Sequence, residues 1–416
     1  MRHAHGTRFA LFAQADRTEP EPVLVSSPRG SLRAGPEDDR MYVVAPIGKP
    51  RPYGIAPLGD EPDAPPWRGE RHPGADPCPD GHFDHLPPGT RAFEAAHLFG
   101  CVRFVLDVWE GYFGRPLAWH GANDHPRLEL SILPTLDNAY AGYGFLELGE
   151  ERREGQRAPY CLNFDVVAHE VGHALLYAKL GVPDPDAGTG EYYGMHESAA
   201  DLVALVASLH FDSVLDEVLE GTRGNLYSLN ALTRTAELPG NRQVRIAAND
   251  TSLADFARGW VKEHHLSMPL TGAIFDVLVD VFHEMLLERG ALDPRVEALS
   301  DALLASPAYE PVVGPLIAQA YDRAPDAFRE ALEDARDILG TLLADGWELL
   351  DVDHLSYVEI AHALMEADHG LSGGRFAPFV AQRMDARGIG RVRVGPQLAP
   401  LGPDSHAASI RTMVPR

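Results

Sequence analysis

One segment, "DVVAHEVGHALLYAKLG" at residues 165–181, limits what this chain can become more than any other. Its apolar residues, Val166, Val167, Ala174, Leu175 and Leu176, recur with the period of a buried helix, and Gly181 followed by "VPDP" marks where that helix stops. Within it stand His169, Glu170 and His173. Residues four apart share one helix face, so His169 and His173 aim two imidazoles at a single point with Glu170 beside them. A buried histidine pair with a carboxylate between is costly unless something compensates it. The fold must therefore close around this helix and supply that compensation.

A metal ion does so, and the spacing is that of HExxH zinc hydrolases. Catalytic zinc takes three protein ligands and leaves one position open. A histidine six residues beyond His173 would be one source of the third, but Lys179 stands there. Further along, "HESAAD" opens another helix, with Glu197 and Asp201 four apart on one face. Glu197 completes the coordination, and Asp201 accepts the outer ring N–H of a ligand histidine, which fixes its tautomer. His196 is a rival third ligand, although the carboxylate spacing favours Glu197.

Composition removes several other classes of function. Acidic residues number 61 against 36 basic ones, for a formal net charge of -25, so a polyphosphate partner is repelled and nucleic-acid binding is not expected. Cys78, Cys101 and Cys161 are scattered and odd in number, which indicates neither a disulfide framework nor a cysteine zinc site. No segment approaches the roughly 18 uninterrupted apolar residues of a membrane span. The first apolar run, "FALFAQA", is short for a signal-peptide core, so a cytoplasmic location is expected.

Along its 416 residues the chain divides into four parts. Residues 1–90 are rich in Pro, Gly, Asp and Arg and read as a partly ordered arm wrapping the body, with "RMYVVAPIG" as its one strand. Residues 91–181 open with a long buried helix at "AFEAAHLFGCVRFVLDVWEGYFG". They continue through "RLELSILPT" and "GYGFLELG" as strands of one sheet, and end in the metal-motif helix. Residues 182–390 carry helix-period stripes and form a helical lobe, and residues 391–416 are a loose tail. The fold class is α+β, a sheet-bearing lobe followed by a helical one.

The ordered set "NAYAGYGFLELG", "FDVVAHEVGHAL", "HESAAD" and "HHLSMPLTGAIFDVL" resembles the thermolysin-like metallopeptidases, a branch of the gluzincins, from about Arg91 to Gly390. The resemblance implies a two-lobe fold with the active-site helix between the lobes, one catalytic zinc ion and a peptide or protein substrate cleaved at internal bonds. It makes His169, His173 and Glu197 the zinc ligands, Glu170 the general base and Asp201 the residue that orients a ligand. It makes Asn138 and Ala139 part of an edge strand that pairs with substrate backbone. His264 becomes the catalytic histidine, with His265 as the fallback, and Arg234 binds the substrate carbonyl. An aminopeptidase, another narrow-specificity zinc hydrolase, or a non-catalytic peptide-binding protein on the same fold are the alternatives.

The chain departs from the family pattern in places. The interval from His173 to Glu197 is longer than is typical, and Tyr192 and Tyr193 lie too close to Glu197 to match the family's transition-state tyrosine. The acidic partner expected before the catalytic histidine has no match, with Gly259 near its place. Calcium sites cannot be matched, and nothing in the sequence fixes the oligomeric state.

Overall fold

The computed structural model describes residues 5–14, 18–54, 63–153, 156–184, 189–228, 230, 232, 234–235, 245–304 and 306–391. The chain begins with a hairpin of β1 (Gly6–Leu11) and β2 (Glu21–Pro28), followed by β3 (Met41–Val44). The long helix α1 (Arg91–Tyr112) comes next, then β4 (Leu128–Ile132), β5 (Ala139–Gly142), β6 (Phe145–Leu148), β7 (Glu150–Arg153) and β8 (Gln156–Pro159). Helices α2 (Phe164–Leu180), α3 (Gly190–Ser208) and α4 (Asp212–Thr222) lead to the two-residue strands β9 (Arg234–Thr235) and β10 (Arg245–Ile246). The chain closes with α5 (Glu263–Glu288), α6 (Pro294–Leu303), α7 (Tyr309–Arg323), α8 (Pro325–Glu348), α9 (Tyr357–Ser372) and α10 (Ala377–Ala386). This is the expected α+β order, sheet first and helices after. No helix of the described residues is long and apolar enough to cross a membrane.

The main sheet has four strands in the order β3-β4-β6-β5. β3, β4 and β6 run parallel, and β5 runs antiparallel to β6, with Ala139 opposite Leu148 and Gly142 opposite Phe145. An antiparallel strand thus forms one edge of an otherwise parallel sheet, and α2 packs beside it. The first 90 residues hold more structure than their composition suggests. Where one strand is expected, three form among the described residues, and the run "FALFAQA" supplies much of β1. Phe9 and Leu11 are fully buried against α1, where Gly100 leaves them room: a Cβ there would lie 2.9 Å from the ring of Phe9 and 2.8 Å from Leu11. The alternation of "GTRFAL", two residues per repeat, is the signal for this strand.

Successive residues of a strand face opposite sides of the sheet, so Glu129 of β4 and Glu147 of β6 turn away from the apolar face formed by Leu128, Leu130 and Ile132. Both carboxylates are fully buried. The N-terminal arm covers them and supplies their partners. Tyr42 and Tyr53 donate their hydroxyls to Glu129 at 2.6 and 2.7 Å, and the Trp67 backbone N–H adds a third bond at 2.8 Å. Glu147 accepts the Tyr53 backbone N–H at 2.7 Å and forms an ion pair with Lys49. Burial pulls the Lys49 ammonium down and pushes the Glu147 carboxyl up, while each charge opposes the shift of the other.

A second tie between the arm and the body runs through His97 of α1. The ring is fully buried: Nε2 accepts the Phe12 backbone N–H at 2.9 Å, and Nδ1–H donates to the Cys161 carbonyl at 2.8 Å. Protonation would place an N–H against the Phe12 N–H, and burial lowers the pKa to about 4.

Two measurements test these ties. Lys49→Met strands a buried carboxylate and is expected to lower the unfolding free energy by about 3–5 kcal/mol in urea titrations, whereas Lys49→Met with Glu147→Leu recovers most of the loss. Equal losses in the single and double variants would show that the pairing is not the cause. For His97 the native pKa lies below the ordinary 6.5, so the unfolded chain binds the extra proton first. Its contribution is therefore intact above about pH 6.5 and is lost by roughly 3 kcal/mol as the pH falls toward 4. His97→Gln should flatten that part of the stability profile.

Candidate metal centre

Helix α2 is capped by Asn163, whose side chain accepts the Val166 N–H, and it stops at Gly181, which has φ 76°. From Phe164 to Tyr177 it is buried almost continuously, Asp165 being the exception. Thr189 caps α3 by accepting the Tyr192 N–H at 3.1 Å. That cap sets the start of α3 at Gly190, earlier than the His196 start expected from "HESAAD". Glu197 and Asp201 therefore lie in the helix interior, beyond the first turn, and both are buried.

The two helices meet at Gly172. A Cβ on Gly172 would stand 2.6 Å from the Cα of Ala200, closer than real Cβ atoms come to backbone. Glycine at this position lets α2 and α3 approach until their polar side chains touch. His169 Nε2 lies 3.1 Å from His173 Nε2 and 3.5 Å from Glu197 Oε2, and His173 Nε2 lies 3.7 Å from Glu197 Oε1. A tetrahedral ion with arms of about 2.0–2.1 Å sets its ligand atoms about 3.3 Å apart, so these three donors outline one face of such a site. Among the described residues they are the group that can hold a metal.

The outer ring nitrogens agree with this reading. His169 Nδ1 donates to Asp201 Oδ1 at 3.0 Å, which leaves the Nε2 lone pair of a neutral imidazole pointing inward. His173 Nδ1 lies 3.2 Å from Nδ1 of His196. The rival third ligand, His196, thus lies with Nδ1 against the outer nitrogen of His173 and is not in the group whose donor atoms converge. Two inward lone pairs and a carboxylate converging within 4.8 Å form a donor set suited to a divalent cation.

Glu170 follows His169 on α2 and precedes His173 by one turn; it is 4% exposed. His264, in the first turn of α5, donates from Nδ1 to Glu197 Oε2 at 2.6 Å. The acidic group bonded to His264 is thus Glu197, contributed by another helix and not by the segment upstream of it. His265 is exposed. Asn138 precedes β5 and is exposed, its carbonyl accepting the Gly149 N–H at 2.9 Å, while Ala139 is buried in β5 at the sheet edge beside α2. Arg234 begins β9, and its side chain lies outside the described residues, as do residues 185–188 of the long interval and residues 392–416 of the tail.

Sequence reading did not anticipate the aromatic wall beside this centre. Tyr177 lies one turn beyond His173 on α2, and its ring is 4.7 Å from His196 and 5.2 Å from Tyr143. Tyr192 covers His196 at 5.0 Å. Burial, then the neighbouring Tyr192, Tyr143, Glu197 and Glu170, holds the Tyr177 hydroxyl protonated far above its ordinary range. The signal was present: a tyrosine four residues after the second histidine shares its helix face.

Gly172→Leu should force α2 and α3 apart and abolish binding of one zinc equivalent, read by elemental analysis after dialysis; retention of stoichiometric zinc would show that the close approach is not what assembles the donors.

No family model matches the chain, and no curated protein matches it. Among solved structures it is similar to the precursor of protealysin, a metalloproteinase from Serratia proteamaculans, with 10% identity, a TM-score of 0.44 and coverage of 88% of this chain and 91% of that one.

Proposed function

We propose that the protein is a zinc-dependent metallopeptidase that hydrolyses internal peptide bonds. The observation that carries this reading is the convergence of His169, His173 and Glu197 at the spacing of a tetrahedral site, with Glu170 in the same turn of α2. His169, His173 and Glu197 would hold the ion, and a bound zinc supplies Lewis acidity that polarises a carbonyl and eases loss of a proton from water near neutrality.

The remaining work falls to side chains. Glu170 takes the proton of the attacking water on its carboxylate and returns it to the departing amine, so one carboxylate serves as base and then as acid. His264, held through Nδ1 on Glu197, turns its other nitrogen toward the oxygen that gains charge during attack. Strand β5 is antiparallel, at the sheet edge and beside α2, so a substrate added along Asn138 and Ala139 lies across the site in extended form. Backbone pairing of this kind binds peptides with little regard to sequence. Arg234 is the candidate for gripping a substrate carbonyl.

The test is Glu170→Gln, which keeps size and hydrogen bonding but removes the base. Zinc content should stay at one equivalent, while cleavage of an end-blocked, internally quenched peptide falls by at least about 100-fold. Unchanged turnover would reject Glu170 as the base. Wild-type protein that cleaves free-ended but not end-blocked peptides would be an aminopeptidase, and one that binds peptide and zinc without turnover would be a binding protein.

A further inference from the structure

His196 lies between the metal centre and the aromatic wall, 3% exposed, and none of the proposed chemical steps uses it. Its ring and that of His173 are tilted by only 15°, their centroids are 5.5 Å apart and their Nδ1 atoms 3.2 Å apart. Two rings stacked face to face with nitrogens this close would bring their centroids much nearer. The separation equals the nitrogen contact plus about two ring radii, so the imidazoles lie edge to edge, almost in one plane, each Nδ1 aimed along the other's lone-pair direction. Only one of the two nitrogens can carry a proton in such a contact. A ligand histidine gives its Nε2 lone pair to the ion and, being neutral, keeps its proton on Nδ1. His173 is therefore the donor and His196 Nδ1 the acceptor, which fixes His196 as the Nε2–H tautomer.

From this geometry we infer that His196 is the positioning residue of the His173 ligand, and that Tyr177 and Tyr192 hold its ring in the plane this requires. The inference rests on the reading of His169, His173 and Glu197 as metal ligands. The two ligand histidines are then steered by different chemistry. Asp201 offers His169 a carboxylate, whereas His196 offers His173 a neutral imidazole nitrogen. A neutral acceptor fixes ring direction and tautomer without adding a second negative charge behind the ligands. Tyr177 comes from α2 and Tyr192 from α3, so the clamp on His196 also spans the interface whose closeness builds the donor set.

The experiment compares wild type, His196→Phe and His196→Asn. Phenylalanine keeps the ring between the two tyrosines and removes the acceptor; asparagine returns an acceptor oxygen at the place of Nδ1. Zinc affinity is read by chelator competition, and the Co2+-substituted proteins are compared by their visible spectra. His196→Phe should bind zinc about 10- to 100-fold more weakly with an altered Co2+ spectrum, and His196→Asn should recover most of the affinity. Affinity within twofold of wild type in the phenylalanine variant overturns the assignment, and so does an asparagine variant no better than phenylalanine. Wild type that binds no zinc would instead overturn the metal-centre reading, which separates the two failures. A measurement on zinc-loaded wild type needs no variant: long-range proton–nitrogen NMR should find the His173 proton on Nδ1 and the His196 proton on Nε2. A proton on His196 Nδ1 contradicts the proposal directly.

Discussion

Everything at the candidate site depends on how closely two helices pass. Gly172 faces the backbone of Ala200 with no space for a side chain, and only at that separation do imidazoles on α2 reach a carboxylate on α3. The glycine falls between Glu170 and His173, so the turn that presents the ligands is also the turn that admits the neighbouring helix. Burial follows from the same contact. Leu202, Val203 and Val206 of α3 and Val167, Val171 and Leu175 of α2 are themselves buried, and His169, His173, Glu197 and Asp201 are left little solvent, which strengthens every electrostatic interaction among them.

Two buried polar clusters in the molecule are built on opposite plans. In the sheet-bearing lobe, Glu129 and Glu147 meet donors contributed by the arm: two tyrosine hydroxyls, two backbone N–H groups and the Lys49 ammonium. Charge and hydrogen-bond donors balance acceptors there, and such a cluster joins segments distant in sequence. At the metal centre the outer ring nitrogens are committed to Asp201 and His196, so the inner ones present lone pairs toward one another and toward a carboxylate. His264 is bonded to that same carboxylate. The first arrangement joins distant segments by matched donors and acceptors, and the second gathers two imidazoles and a carboxylate within 4.8 Å of one another, a group that could hold a metal ion.

The readable parts of the sequence were those governed by local rules. The period of residues 165–181, the closing Gly181 and the four-residue spacings of His169 with His173 and Glu197 with Asp201 all describe contacts along single helices, and the donors they name do converge. Two features escaped for local reasons as well. The start of α3 lies earlier than "HESAAD" suggests because its cap, Thr189, sits in a stretch of Gly and Asp that reads as loop. Strands β1 and β2 were missed because Pro and charge dilute the composition around them, whereas the burial of Phe9 and Leu11 depends on Gly100, about 90 residues away.

What no spacing could reveal is a partnership across elements. His264 and Glu197 are 67 residues apart and meet at 2.6 Å, and His173 and His196 meet through the edges of their rings. A histidine next to a candidate ligand carboxylate in sequence, such as His196, invites the reading of a competing ligand. Helical geometry decides otherwise: neighbouring residues project about 100° apart, so if Glu197 reaches the shared point, His196 must aim elsewhere. Here it aims behind His173. On the proposed assignment the two adjacent residues of α3 divide the work, Glu197 toward the ion and His196 toward the ligand on the facing helix. The division depends on how closely the helices pass, and through Gly172 that closeness is tied to a single absent side chain.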